Sequence, residues 1–325
     1  MGSDRRMTAD EKHRDPMLSA VAARLGEDRF SKRLMMQSEQ RAKLQHQGEG
    51  ILKIERFIPV NALVLKILKW TGMFRRAYRN FLDVRVVEQS WTLKKLPRSF
   101  DGFRLLQLTD LHLDLDLALG PVLEDLVAST PHDAVVVTGD FRNLTSSDFN
   151  AAMRATEKII SRLAPDRWGT LGNHDFIEKV PELERAGLPI LLNECATIRR
   201  GDDQLWICGI DDAHFYATHD IEKVAAMSSG DACRILLSHS PEVAEIAAGF
   251  DFDLMLSGHT HGGQICLPGG RAMVVPVWRL SRDLICGRWQ RGQMQGYTSP
   301  GTGSCGVPAR FNCPPEITVH ILNAG

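Results

Sequence analysis

Five short stretches of the chain collect the residues able to do chemistry: Asp110-Leu111-His112, Gly139-Asp140, Gly172-Asn173-His174-Asp175, Ser238-His239 and Gly258-His259-Thr260-His261. They hold five of the eleven histidines, together with carboxylates and one side-chain amide. Imidazole mixed with carboxylate and amide oxygen suits manganese, iron, zinc or cobalt better than a thiolate-loving or an all-oxygen site. Two residues apart on an extended segment, side chains point the same way. Asp110 and His112 are therefore expected to bind one ion, and His259 and His261 to address a common centre. Gly258 frees the backbone at a crowded tip.

Each stretch ends a strand-like run. The segments FRLLQLTD, DAVVVTGD, RWGTLGNHD, QLWICGIDD, CRILLSHS and FDLMLSGHTH pass from Val, Leu and Ile into a polar tip. Helix-like segments over 118–129, 149–163 and 221–227 lie between some of them. Near-continuous apolar strands alternating with helices predict an α/β architecture whose sheets are covered on both faces. In such sheets function collects at the carboxyl ends of strands, where these tips fall.

The chain has 325 residues, 43% hydrophobic and 24% charged, as expected of a globular protein. Its formal charge of -1 conceals an asymmetry: residues 1–100 carry 21 Lys and Arg against 11 Asp and Glu, leaving 18 against 29 for the rest. A helical, partly flexible basic arm over 1–83 followed by an acidic catalytic domain over 84–325 is the predicted organisation, and the arm suggests an anionic partner surface. Asp15 and Pro16 read as the cap and first position of a helical stretch over 17–46. Over 61–81, Leu63, Ile67, Trp70, Phe74, Ala77, Tyr78 and Phe81 share one face at helical spacing. Lys66, Lys69, Arg75, Arg76 and Arg79 lie opposite, while Leu65 and Leu68 are exceptions and Gly72 weakens the middle. Such a helix suits a membrane interface, with Leu63, Lys66, Ile67, Lys69, Trp70, Phe74, Arg76 and Arg79 as its contacts. The aromatics stripe one face and do not interleave with the basic residues, which argues against nucleic acid. Seven cysteines without a Cys-x-x-Cys read as reduced thiols, and no apolar run reaches the length of a membrane span. The expected location is cytoplasmic, peripheral on the inner face of the membrane.

In these five blocks and their order the chain resembles the calcineurin-like metallophosphoesterase superfamily. The resemblance runs from about Val84 to Leu322 and implies a four-layer α/β/β/α sandwich of two mixed sheets. It also implies two divalent ions, manganese before iron, zinc or cobalt. Asp110, His112 and His261 would hold the first ion and Asn173, His239 and His259 the second, with Asp140 bridging both. His174 would be the acid beside the leaving group, and Asp175 would orient a histidine ring. Two cations sharing a water would provide the hydroxide that attacks phosphorus. Many members continue the second block as Gly-Asp-x-x-Asp; here Asn143 stands at the last position and cannot supply a charge.

Within the superfamily, Gly209–Asp212, GHTHGGQ and GVPARFNCPPEITV look like a bacterial subgroup that includes UDP-2,3-diacylglucosamine pyrophosphatases of lipid A synthesis. The substrate expected on that resemblance is a phosphodiester or lipid-linked pyrophosphate at a membrane surface. The alternative is a soluble phosphodiesterase or phosphomonoesterase. A non-catalytic scaffold is disfavoured, because Asp140, Asn173, His174 and His261 are all present. Arg142 is a candidate phosphate contact, and Asp211 and Asp212 are candidate substrate contacts. His214 and His219 read as surface or lid residues. Cys305 and Cys313 lie in a glycine- and proline-rich segment expected to close over the site, without a disulfide.

Overall fold

A computed structural model describes residues 15–46, 60–143, 150–228, 230–272 and 280–325. Four helices lead the chain: α1 (Pro16–Leu25), α2 (Glu27–His46), α3 (Val60–Trp70) and α4 (Phe74–Leu82). The strands are β1 (Arg85–Leu93), β2 (Phe103–Leu108), β3 (Ala134–Thr138), β4 (Arg167–Thr170), β5 (Glu194–Arg200), β6 (Asp203–Gly209), β7 (Arg234–Leu237), β8 (Leu254–Ser257), β9 (Cys266–Leu267), β10 (Arg271–Ala272), β11 (Gly287–Arg291), β12 (Met294–Thr298) and β13 (Glu316–Ala324). Among them run α5 (Leu119–Ser129), α6 (Asn150–Ile160), α7 (Val180–Arg185) and α8 (Ile221–Met227).

Two mixed sheets form, in the orders β1-β13-β2-β3-β4 and β11-β12-β8-β7-β6-β5. Strand alternation explains their layering. Leu105, Ala134 and Val136 meet Ile207, Ile235, Leu237, Leu254 and Leu256 between the sheets. Their neighbours Leu106, Val135 and Val137 face α1, α2, α5 and α6 on one outer side. Cys208, Leu236 and Met255 face α8 on the other. A strand buried on both faces has no polar alternation to show, so these strands read as continuous apolar runs. The architecture is the expected sandwich of two mixed sheets between helices.

The basic N-terminal helices are built into this core. Asp15 caps α1 by accepting from the Met17 amide at 2.9 Å, and Gly26 at φ 95° separates α1 from α2. Leu18, Val21, Ala22, Leu25, Phe30 and Leu34 join the same cluster as the first sheet's outer face. Their basic residues find the acidic body: Arg24 pairs with Glu184 and Glu194, each at 2.8 Å, and Arg29 with Asp220 at 2.7 Å. Part of the charge asymmetry is thus complementarity within the molecule. Arg33 is wholly buried, 2.6 Å from Asp211 Oδ1, and its Nη2 donates to the Asp175 carbonyl at 3.0 Å. Gln37, also buried, accepts from the Ile177 amide at 3.0 Å. In place of one helix over 61–81 there are two, because Gly72 at φ 72° ends α3 and resets the phase for α4. The docked face of α3 is the one carrying the apparent exceptions: Leu68, with Val64 and Leu65, packs on Val307, Ala309 and Phe311. No helix of the described residues is long and apolar enough to cross a membrane.

Removing one partner of a buried ion pair strands the other charge at a cost of about 3–5 kcal/mol. Arg33→Met should lower unfolding stability by about that amount, and adding Asp211→Asn should restore part of it. Urea unfolding of the two variants measures this; a loss below about 1 kcal/mol in the single variant would contradict it.

Candidate metal centre

Each of the five tips lies just past a strand's carboxyl end, and the backbones of three of them are unusual. Asp110, His112, Asp140, His259 and His261 all have positive φ, between 43° and 70°. Non-glycine residues pay for that conformation, and it persists where surrounding structure enforces it. Here it aims side chains inward. Asp110 and His112 therefore converge through two left-handed residues in a loop, and the expectation of a continuing extended segment is corrected. Gly258 and Gly172 meet the same crowding by lacking a side chain: a Cβ on Gly258 would overlap Thr109 Oγ1 and the Asp110 carboxylate, and one on Gly172 would overlap the Asp140 carboxylate.

Two donor sets result, sharing one carboxylate oxygen. In the first, His112 Nε2 lies 3.2 Å from His261 Nε2, 3.6 Å from Asp140 Oδ2 and 3.9 Å from Asp110 Oδ1, and His261 Nε2 lies 3.4 Å from Asp110 Oδ1. In the second, His239 Nε2 lies 3.2 Å from Asp140 Oδ2, 3.1 Å from Asn173 Oδ1 and 3.2 Å from His259 Nδ1. The structure thus brings Asp110, His112 and His261 together on one side of Asp140 and Asn173, His239 and His259 on the other. All but Asn173, which is half-buried, are buried.

Tautomers are set by carbonyls, which can only accept. His112 Nδ1 donates to the Arg142 carbonyl at 2.8 Å and His239 Nδ1 to the Thr138 carbonyl at 2.8 Å, which turns both Nε2 atoms to the centre, a lone pair at His112 and, until an ion displaces its proton, an N–H at His239. Nitrogen and oxygen donors packed at such distances need positive charge among them, so the residues fit two divalent ions. Burial pushes His112 down to about 4, and pushes His259 and His261 well below the usual imidazole range, so all three are neutral donors. At His239 burial opposes protonation too, but the Asp140 carboxylate outweighs it and raises that imidazole to about 10.

His174 is half-buried at the rim. Its Nδ1 donates to the Asn143 carbonyl at 2.6 Å, and burial is again outweighed by Asp140, which raises this imidazole to about 10. Nε2 is thus a proton carrier, with Cys305 Sγ 4.0 Å away. Asn143 answers for the missing aspartate with its backbone, while its side-chain Oδ1 accepts from the Gly306 amide at 2.9 Å. Asp175 holds no histidine ring, contrary to expectation: its carboxylate accepts from the amides of Asp140 at 2.7 Å, Phe141 at 3.0 Å and Gly172 at 2.9 Å. A buried carboxylate needs such donors, and these three lock the bridging residue's loop onto the Gly172 loop.

The expected substrate contacts fare differently. Asp211 and Asp212 are both buried. Asp211 is committed to Arg33 and to the Thr218 hydroxyl at 2.6 Å, and Asp212 accepts from the amides of Phe215 and Tyr216, each at 2.7 Å. They shape the loop bearing His214. Arg142 is buried with its guanidinium 4.4 Å from the Phe176 ring centre. His214 pairs with Glu242 at 2.7 Å and lays its ring on His259, centroids 4.3 Å apart.

Three positioning residues, Arg310, Gln264 and Arg33, had no role in the sequence reading, and a fourth, Cys305, lies in the segment expected to close over the site. Arg310 is wholly buried, donating to the His261 carbonyl at 3.0 Å and to the carbonyl of Gly303. Gln264 accepts from the Cys305 amide at 2.8 Å and donates to the Cys305 and Val307 carbonyls at 3.1 and 3.2 Å. Cys305 brings Sγ to 4.0 Å from His174 Nε2. Arg33 supports the Gly172 loop from behind, 3.3 Å from its carbonyl. No local pattern marks any of them; the last residue of the GHTHGGQ run was the one signal.

Two outcomes are expected. Asp140→Asn should lose both ions by elemental analysis. His174→Ala should keep both while losing about 10²–10⁴ in turnover, the usual range for a proton donor. Ion loading must also displace the proton held at His239, so apparent affinity should rise with pH across neutrality and calorimetry in buffers of different ionisation enthalpy should register proton release. Retention of a full ion complement by Asp140→Asn, or pH-independent affinity, would contradict this geometry.

Residues 103–263 match the family described as calcineurin-like phosphoesterase. The Bacillus subtilis (strain 168) metallophosphoesterase YkuE is 30% identical over 266 residues, 76% of this chain and 89% of that protein. The Escherichia coli (strain K12) phosphodiesterase YaeI is 30% identical over 229 residues, 67% of this chain and 81% of that one. A Danio rerio transmembrane protein with a metallophosphoesterase domain is 30% identical over 257 residues, 73% of this chain but only 57% of its own length. With the bacterial relatives matched over most of their length and the donor sets in place, the chain belongs to the calcineurin-like metallophosphoesterases and is a metal-dependent phosphoester hydrolase.

Proposed function

We propose that this phosphoesterase cleaves a phosphodiester or pyrophosphate presented at an anionic membrane surface. The observation that carries this reading is the outer face of α3. Leu63, Ile67 and Trp70 are 43%, 49% and 88% exposed, with Lys66 and Lys69 exposed beside them. Apolar and aromatic residues flanked by lysines are the composition of a helix lying in a bilayer interface. Phe74, expected to share that face, is half-buried against the body, whereas Arg76 and Arg79 on α4 are exposed. Among the described residues no carboxylate pairs with Lys66, Lys69, Arg76 or Arg79. The inner face of α3 packs on Val307, Ala309 and Phe311, in the segment that also carries Cys305 beside His174. A docked α3 thus brings the rim of the site to headgroup level.

At the site, two divalent ions would supply charge neutralisation of the phosphoryl oxygens and an activated water. Asp110, His112 and His261 would hold one, Asn173, His239 and His259 the other, and Asp140 both. His174 would donate the Nε2 proton to the departing oxygen, its ring held by the Asn143 carbonyl. The lipid-linked pyrophosphate implied by the resemblance, of the UDP-2,3-diacylglucosamine type, places acyl chains in the bilayer and the diphosphate at its surface. The soluble-diester alternative is favoured by the name of YaeI, a phosphodiesterase.

Replacing Leu63, Ile67 and Trp70 together by Ser should abolish co-sedimentation with anionic vesicles and leave hydrolysis of a water-soluble diester reporter within about twofold. Turnover of a UDP-linked diacyl sugar in vesicles should fall at least tenfold. Vesicle binding equal to wild type would overturn the membrane reading. Turnover of the soluble diester with none of the lipid would favour the alternative.

A further inference from the structure

We infer that Cys305 is an additional ligand of the ion held by His112 and His261, an inference that rests on the dinuclear reading above. Cys305 Sγ and one ring nitrogen each of His112 and His261 all lie within 4.8 Å of one another. Nitrogen and sulfur donors at about 2.1 and 2.3 Å from one ion stand about 3–4 Å apart, so the three close on an ion after a side-chain shift of about an ångström.

The thiol does not hang on a wandering loop. The Gln264 side chain grips the Cys305 peptide at both ends, accepting from its amide at 2.8 Å and donating to its carbonyl at 3.1 Å. Asn143 Oδ1 takes the next amide, that of Gly306, at 2.9 Å. Arg310, wholly buried, ties the carbonyl of His261 at 3.0 Å to that of Gly303, so the segment and the ligand loop form one unit. The same segment thereby fixes the sulfur against His174 Nε2 at 4.0 Å.

On coordination the S–H proton passes to solvent and the sulfur contributes a lone pair, with no change of oxidation state. A thiolate donor makes this position softer than the Asn173, His239 and His259 position, which has only nitrogen and oxygen. The Cys305 position therefore selects zinc, iron or cobalt over manganese, and the other does not.

The test is optical and independent of turnover. Full-length protein stripped with a chelator is refilled with cobalt(II), beside Cys305→Ser and Asp140→Asn. The expected result is visible cobalt bands plus a near-ultraviolet sulfur-to-cobalt charge-transfer band, the latter lost and the former kept in Cys305→Ser. Competition should show manganese displacing cobalt at least tenfold more readily from the variant. Visible bands in wild type without charge transfer, or a charge-transfer band that survives Cys305→Ser, would overturn the ligand assignment and leave the dinuclear reading standing; the sulfur would then serve as the neighbour of His174 only. Absence of any site-specific cobalt signal, with wild type indistinguishable from Asp140→Asn, would overturn both.

Discussion

Asp140 is buried with one carboxylate oxygen facing His112 Nε2 at 3.6 Å and His239 Nε2 at 3.2 Å. Burial alone would push such a carboxyl up, yet the imidazoles of His239, His174 and His112 hold it well below its ordinary range. An anion kept in low dielectric by the protons of two neighbouring imidazoles is a position whose positive charge bound ions can take over. Much of the surrounding structure follows from that need. The strained backbones at Asp110, His112, Asp140, His259 and His261 exist to bring donors round it, and Gly172 and Gly258 exist because a side chain at either would occupy a carboxylate's space.

Holding five tips in register, three of them strained, needs support from elsewhere, and the chain recruits it from distant parts. Asp175 ties the Asp140 and Gly172 loops by three amide bonds. Arg33, from the second helix, crosses to the Gly172 carbonyl and the Asp175 carbonyl, so a segment far from the ligands in sequence braces both ends of that tip. Arg310 and Gln264 do the same for the His261 loop and the segment after it. The N-terminal helices, basic in composition, are therefore part of the catalytic body's mechanics.

The candidate donors were legible in the sequence because each block closes an apolar run, where histidine, aspartate and asparagine have no reason to recur in that order without a shared centre. The layering was legible because strands buried on both faces cannot hide their hydrophobicity. What lay between them was not. The partners of Arg33 and Arg310 depend on tertiary crossings with no local spacing. Asn143 was read as a lost charge, whereas its carbonyl does the orienting and a carbonyl is present at every residue. The single face expected over 61–81 is divided because one left-handed glycine splits a periodic pattern into two helices of different phase: Leu63, Ile67 and Trp70 face outward, while Leu68, Ala77 and Phe81 are buried. Asp211 and Asp212 look like loop carboxylates free to touch substrate, but their burial is visible only once the loop is folded.

The central claim is that two ions sharing Asp140 act together on one phosphoester. Titrating chelator-stripped protein with a divalent metal, while following hydrolysis of a soluble diester reporter, tests it most directly. The account predicts that turnover stays low through the first equivalent, rises through the second and saturates at two per chain. Saturation at a single equivalent, or hydrolysis undiminished in the stripped protein, would contradict it.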